Sequence, residues 1–185
     1  LRFSLIFNKF GSKNTPTTML VIRTAKKEEA PAILRLLKNG IKRMQSDGNF
    51  AQWTQDTHSI DTVLADIAQD ISYLLLENNT PIATFVLLPS PDPTYQTIDG
   101  AWLNDAPYFS IHRLASDVHH NGTATQVFNW ALEQGRDLRA DTHADNLRMQ
   151  HLLLKHGFQY CGIIHLNDGS PRLAYQKLHP TPPQL

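Results

Sequence analysis

The sequence predicts a mixed α/β protein: a central, mostly antiparallel sheet of about seven strands with helices on both faces. Three observations carry that expectation. Short runs rich in β-branched residues or alternating with period two recur along the chain; between them, apolar residues repeat every three or four positions; and the segments follow the order β-α-α-β-β-β-α-β-α-β-β without internal repeat. Antiparallel strands come first. A βαβ unit, whose crossover sets two strands parallel, comes later.

Each element has its own signal. LVIRTA (Leu20 to Ala25) alternates and reads as a strand. From Lys26 the period changes: Ala30, Ile33, Leu34, Leu37, Ile41 and Met44 line one face of a helix ending near Asp47-Gly48. Asn49 to His58 is a loop carrying Trp53, and Ile60, Val63, Leu64, Ile67, Ala68 and Ile71 mark a second helix capped by Ser59. Ser72 to Leu76 is a strand, Asn78-Asn79-Thr80-Pro81 a turn, and Ile82 to Leu88 the returning strand. Pro89 to Pro107 reads as a long irregular insertion.

Tyr108 to Ala115 is the next strand, and Thr123 to Arg136 a helix burying Ala124, Val127, Phe128, Ala131 and Leu132. Asp137 to Thr142 is a strand, and Asp145 to His156 a helix closed by Gly157. Phe158 to His165 and Pro171 to Leu178 form a final hairpin around Asn167-Asp168-Gly169-Ser170. Met19 directly precedes the first strand. The expected layout is an extension over 1–18, one domain over 19–178, and a Pro-rich tail over 179–185.

Bulk properties narrow the function. Lys plus Arg and Asp plus Glu balance at 17 each, with no clustered basic run, which argues against nucleic acid and anionic membrane as partners. No apolar run approaches the roughly 20 residues of a membrane-spanning helix, and LRFSLIF makes a poor signal peptide. A single cysteine excludes an internal disulfide and fits a reducing cytoplasm; in QYCGII, Cys161 reads as a small buried residue.

The stretch most telling for function is HHNGTATQVFN, His119 to Asn129, after the apolar strand YFSIHRLA. A strand, a short Gly-containing turn and a helix start leave backbone N–H groups at the positive end of a helix dipole. That arrangement suits a phosphate or pyrophosphate, so a phosphorylated cofactor is expected here.

Three segments together resemble the GNAT superfamily of acyl-CoA N-acyltransferases. The family's Arg/Gln-x-x-Gly-x-Gly/Ala is met by His119-His120-Asn121-Gly122-Thr123-Ala124; LRADTHADNLRMQHLLLKHGF (Leu138 to Phe158) is similar to its strand, Asn-started helix and closing Gly-Phe; and YCGIIHLNDGSPRLAYQKL matches its last hairpin. The likeness covers Leu20 to Leu178. It implies the acyl-CoA N-acyltransferase fold, with a V-shaped splay beside the strand that precedes the turn. Acetyl-CoA is the implied cofactor. Its pantetheine would pair with the backbone of Leu114 and Ala115, and its pyrophosphate with amides from His120 to Ala124. Gly122 would allow close approach, Ala124 would let the helix start nearby, and Asn146 and Leu153 would reach the cofactor.

The match departs from the family at three places. His119 stands where Arg or Gln is usual, which makes that phosphate contact weaker or pH-dependent. The segment from Leu114 to His119 is about two residues short. Leu153 occupies the position of a Tyr that often protonates the leaving thiolate, so solvent or another group must serve.

Acyl transfer to an amine needs a proton acceptor, and His112 is the first candidate. Alternation places Ser110, His112 and Leu114 on one face of the strand; the alternative is a structural His bonded to a backbone carbonyl. His143 is second, against a role in fixing the strand–helix junction. Asp141 reads as a capping or ion-pairing residue near Arg139 or Arg148, and Arg113 as structural. Trp53, Tyr95 and Trp102 lie in loops that, by the resemblance, border the acceptor site; each could equally cover the core edge. The nine histidines show no metal-ligand spacing, so no metal is expected.

The function expected is an acetyl-CoA-dependent N-acetyltransferase in which a primary amine, small-molecule or peptide, attacks directly in a ternary complex. The alternative is an acyl-CoA-binding sensor or partner protein with little transferase activity. The resemblance is compatible with a homodimer.

Overall fold

The structure, a computed structural model, describes residues 5–8 and 18–180. The chain divides into two compact units, one gathering residues up to Val86 with Arg113–Trp130, the other Leu87–His112 with residues from Ala131 onward. The crossings fall inside β4 (Thr80–Pro89), β6 (Tyr108–Ser116) and α3 (Thr123–Leu132), so each of these elements contributes to both units.

In the first unit, β1 (Leu5–Asn8), β2 (Met19–Thr24), β3 (Ser72–Glu77) and β4 pair antiparallel in that order. Helices α1 (Ala30–Ser46) and α2 (Ile60–Ala68) follow β2. The apolar stripe of α1 is buried at Ile33, Leu36 and Leu37, in one cluster with Val63, Leu74, Leu76 and Ala115. Arg23 holds the entry to α1 through a two-pronged pair with Glu29, at 2.7 and 2.8 Å. Ser59 caps α2 by accepting from the Thr62 amide. The β3–β4 turn is tighter than the four residues expected. Asn78 and Asn79 both take positive φ, 48° and 66°, as a two-residue hairpin of type I′ requires, so β4 starts at Thr80.

The second unit contains β5 (Asp99–Gly100), β7 (Asp137–Thr142), α4 (Leu147–Lys155), β8 (Gln159–His165) and β9 (Pro171–Lys177). β7 runs antiparallel to β9, β9 to β8 and β8 to β5. β6 and β7 are parallel, in register at Tyr108–Asp137, Phe109–Leu138 and Ser110–Arg139, and both strands run on beyond that ladder. Over the whole sheet the hydrogen-bonded order is β1-β2-β3-β4-β6-β7-β9-β8-β5, the mixed, mostly antiparallel α/β arrangement expected.

Two short strands join the seven read from the sequence. β1 lies within the stretch read as an extension and pairs with β2; the rest of 1–18 and residues 181–185 of the tail lie outside the described residues. β5 overturns part of the irregular Pro89–Pro107 insertion, which also holds a 3-10 turn at Pro93–Tyr95. Its signal was hidden because backbone proximity, not side-chain pattern, makes the pairing. Gly100 faces Gly162, and a Cβ on either would lie 2.2 Å from the opposite strand's carbonyl oxygen. Helix α3 stops at Leu132 rather than Arg136, since Gly135 turns the chain with φ +84°. Among the described residues no helix is long and apolar enough to cross a membrane.

Candidate active site

In the first unit, the end of β6 leads into the glycine turn. Arg113 adopts φ +53° within the strand, and its guanidinium donates to Asp66 Oδ1 at 2.6 Å. A left-handed residue between His112 and Leu114 interrupts the two-residue period. The alternation that put Ser110, His112 and Leu114 on one face therefore does not carry through to Leu114. Ala115 is buried, and a Cβ at Gly40 would lie 3.1 Å from its methyl, so its side chain is committed to packing.

Asp117 organises the turn. Its carboxylate accepts from the His119 amide at 3.0 Å and its carbonyl from the His120 amide at 3.4 Å. The expected run of anion-facing amides from His120 to Ala124 is thus corrected at its first member. The first bond into α3 is Gln126 N–H to Gly122 O, which puts Asn121, Gly122, Thr123 and Ala124 at the open, positive end of the helix. Gly122 holds φ +81°, with no heavy atom within 4 Å of where a Cβ would sit. Gly122 is exposed and has no side chain, which leaves its backbone open to an anion such as a diphosphate. The His120 ring packs toward acidic partners, with Nε2 3.2 Å from Glu77 and Nδ1 3.9 Å from Asp117.

In the second unit, His112 is the centre of a polar cluster. Nε2 lies 2.6 Å from Asp92 Oδ2 and Nδ1 lies 3.7 Å from Asp141 Oδ1. The Asp92 side chain is 3% exposed and the His112 side chain 23% exposed, so the ring keeps some exposure while its anchor has almost none. Burial pushes the Asp92 carboxyl up. The hydrogen bond and charge of His112, with the Thr94 hydroxyl, outweigh it and hold the group at about 2. Beside its contact with His112, Asp141 Oδ1 accepts from the Tyr95 hydroxyl at 2.7 Å. The reading of His112 as a histidine bonded to a backbone carbonyl gives way to a carboxylate pairing. Sequence reasoning missed Asp92, whose local signature, Asp-Pro-Thr, marks only the N-cap of the Pro93–Tyr95 turn.

The remaining candidates divide. His143 Nδ1 accepts the Asp145 amide at 3.1 Å, which makes it a fixture of the β7–α4 junction. Asn146 caps α4, its side chain accepting from Met149 N at 3.1 Å. Leu153 is completely buried and presents no surface to a cofactor. Tyr95 is corrected from a loop clamp to a core residue, 2% exposed. Trp102 stacks over the Arg139 guanidinium at 4.0 Å and donates to the Tyr95 carbonyl. Trp53 packs on the first unit's core and meets His58 edge-on at 4.5 Å. Cys161 is buried, as expected, and burial pushes its thiol up.

No family model and no curated protein matches the chain. Solved structures do. A GNAT-family acetyltransferase of Streptococcus agalactiae 2603 is 29% identical, with 88% of this chain and 96% of that one covered, at a TM-score of 0.77. An N-acetyltransferase of Staphylococcus aureus Mu50 is 21% identical, covering 87% and 99%, at 0.57. YncA of Salmonella typhimurium, solved with its cofactor acetyl-CoA, is 14% identical, covering 89% and 96%, at 0.57. The chain has the fold of the GNAT acetyltransferases and resembles that family in its sequence motifs. The likeness supports acyl transfer as the class of activity.

Proposed function

We propose that the protein is an N-acetyltransferase that uses acetyl-CoA to acylate a primary amine by direct attack in a ternary complex. The observation that carries this reading is the Gly122 turn: open amides at a helix start, on a fold shared with a protein solved with acetyl-CoA. The thioester supplies the activated acyl group. Asn121 to Ala124 would hold the diphosphate through backbone amides. The backbone of Leu114 and Ala115 would orient the pantetheine.

His112 would receive the acceptor's proton. A well-placed base of this kind contributes about 10²–10⁴-fold. Cys161 is buried with its thiol pushed up, which supports direct attack over a cysteine-linked route. The single free cysteine also fits a cytoplasmic setting.

A second reading, an acyl-CoA-binding sensor, draws on Leu153, which puts a buried hydrocarbon where relatives often carry a proton-donating Tyr. Thiol release across a panel of amines separates the two. Acceptor-dependent release supports the transferase; tight coenzyme A binding without it supports the sensor.

A further inference from the structure

Resting on the reading of His112 as the base, we infer that the acceptor amine arrives as an ammonium held by His112 Nδ1 and Asp141 Oδ1, with Asp92 as the positioning residue that makes Nδ1 the proton-accepting atom. A carboxylate has no hydrogen to give, so the 2.6 Å contact with Asp92 requires Nε2 to carry the imidazole's proton. The lone pair of the neutral ring then sits on Nδ1. Asp92, almost wholly buried and further held by Thr94, cannot swing to the other nitrogen.

The nitrogen left open faces a second carboxylate. Asp141 is held by the Tyr95 hydroxyl, and Tyr95 is itself locked in the core beside the imidazole, 5.5 Å between ring centroids. Two acceptor atoms 3.7 Å apart both lie within reach of one ammonium nitrogen, which has three N–H donors to share. Alkyl amines are ammonium ions at neutral pH, so this is the form that must be captured before it can react.

The step balances simply. One N–H bond of the ammonium breaks, its electron pair stays on the amine nitrogen, and the proton bonds to Nδ1. The product is a neutral amine and an imidazolium lying between Asp92 and Asp141. The ring returns its proton to water after transfer.

Two measurements on the full-length protein test this. Long-range proton–nitrogen NMR of histidine-labelled wild type, assigned by the signal lost in His112→Gln, should show His112 as the Nε2–H tautomer at pH 8. An Nδ1–H tautomer would overturn the inference, and this readout needs neither a foldable Asp92 variant nor any activity. Asp141→Asn should then lower kcat/KM for an alkyl ammonium acceptor about ten-fold more than for a neutral arylamine or hydrazine. Equal losses on both would remove the ammonium site. If no amine is acylated at all, the transferase reading fails, while the NMR result still decides the role of Asp92.

Discussion

The His112 imidazole and the Asp92 carboxylate meet at 2.6 Å although 20 residues separate them in the chain. Asp92 is buried against the strand that carries the histidine, so the pair is a fixed feature of the second unit. Surface ion pairs contribute little, whereas a carboxylate without solvent depends on its partner.

Replacing His112 with Gln should therefore do two things. Turnover of the amine should fall by about 10²–10⁴-fold while the affinity for coenzyme A is retained. The orphaned Asp92 should also lower the melting temperature. Calorimetry and thiol release read the two effects separately, and unchanged turnover would remove His112 from the mechanism.

Gly122→Val tests the turn. The space around a Cβ is empty, so the cost is conformational: an L residue at φ +81° loses roughly 1–2 kcal/mol. Coenzyme A binding, measured by titration calorimetry, should weaken at least ten-fold because the branched side chain shields the amides. Intact affinity in a folded variant would place the phosphate site elsewhere.

Acid should destabilise the first unit before it touches Asp92. Burial first, and then the Arg113 charge, hold His58 at about 4 rather than 6.5. The unfolded chain binds this proton more readily than the folded one. The contribution of His58 is thus complete above pH 6.5 and is lost as pH falls through about 4. Asp92, held at about 2 rather than 3.8, adds its loss only below 3.8. As pH falls from 6.5 to about 4, the urea midpoint of wild type should drop relative to that of His58→Phe, which has no such proton to bind. Parallel profiles would refute the assignment.

Gly162→Ala should be among the costlier single substitutions. Its Cβ would meet Asp99 O at 2.2 Å, and φ is +140°. A loss of roughly 2–4 kcal/mol is expected, and at about 2–4 °C per kcal/mol for a chain of this size the melting temperature should drop visibly. A drop below 2 °C would mean that β5 detaches without consequence.

For Asn146, the discriminating change is to Asp. If the residue only caps α4, Asn146→Ala should cost about 1 kcal/mol and Asn146→Asp almost nothing, with coenzyme A affinity following neither. Affinity lost in both variants would assign it a cofactor contact.

The order of the seven longer strands and the four helices, the Ser59 cap, the final hairpin and the glycine turn are legible in the chain because each depends on residues within a few positions of one another. Periodicity, capping and positive φ are local properties. The same local logic makes the turn at Asn78-Asn79 two residues too long, since Pro81 reads as a breaker unless the strand around it is known.

What the tertiary structure alone decided concerns partners distant in sequence. It placed Asp92 on His112, Tyr95 on Asp141 and Arg113 on Asp66, it sank Leu153 into the core, and it set Gly100 against Gly162. No periodicity encodes these contacts. Each arises where strand order and register bring two segments to within a few ångströms, and burial then makes the pairing of their polar groups obligatory.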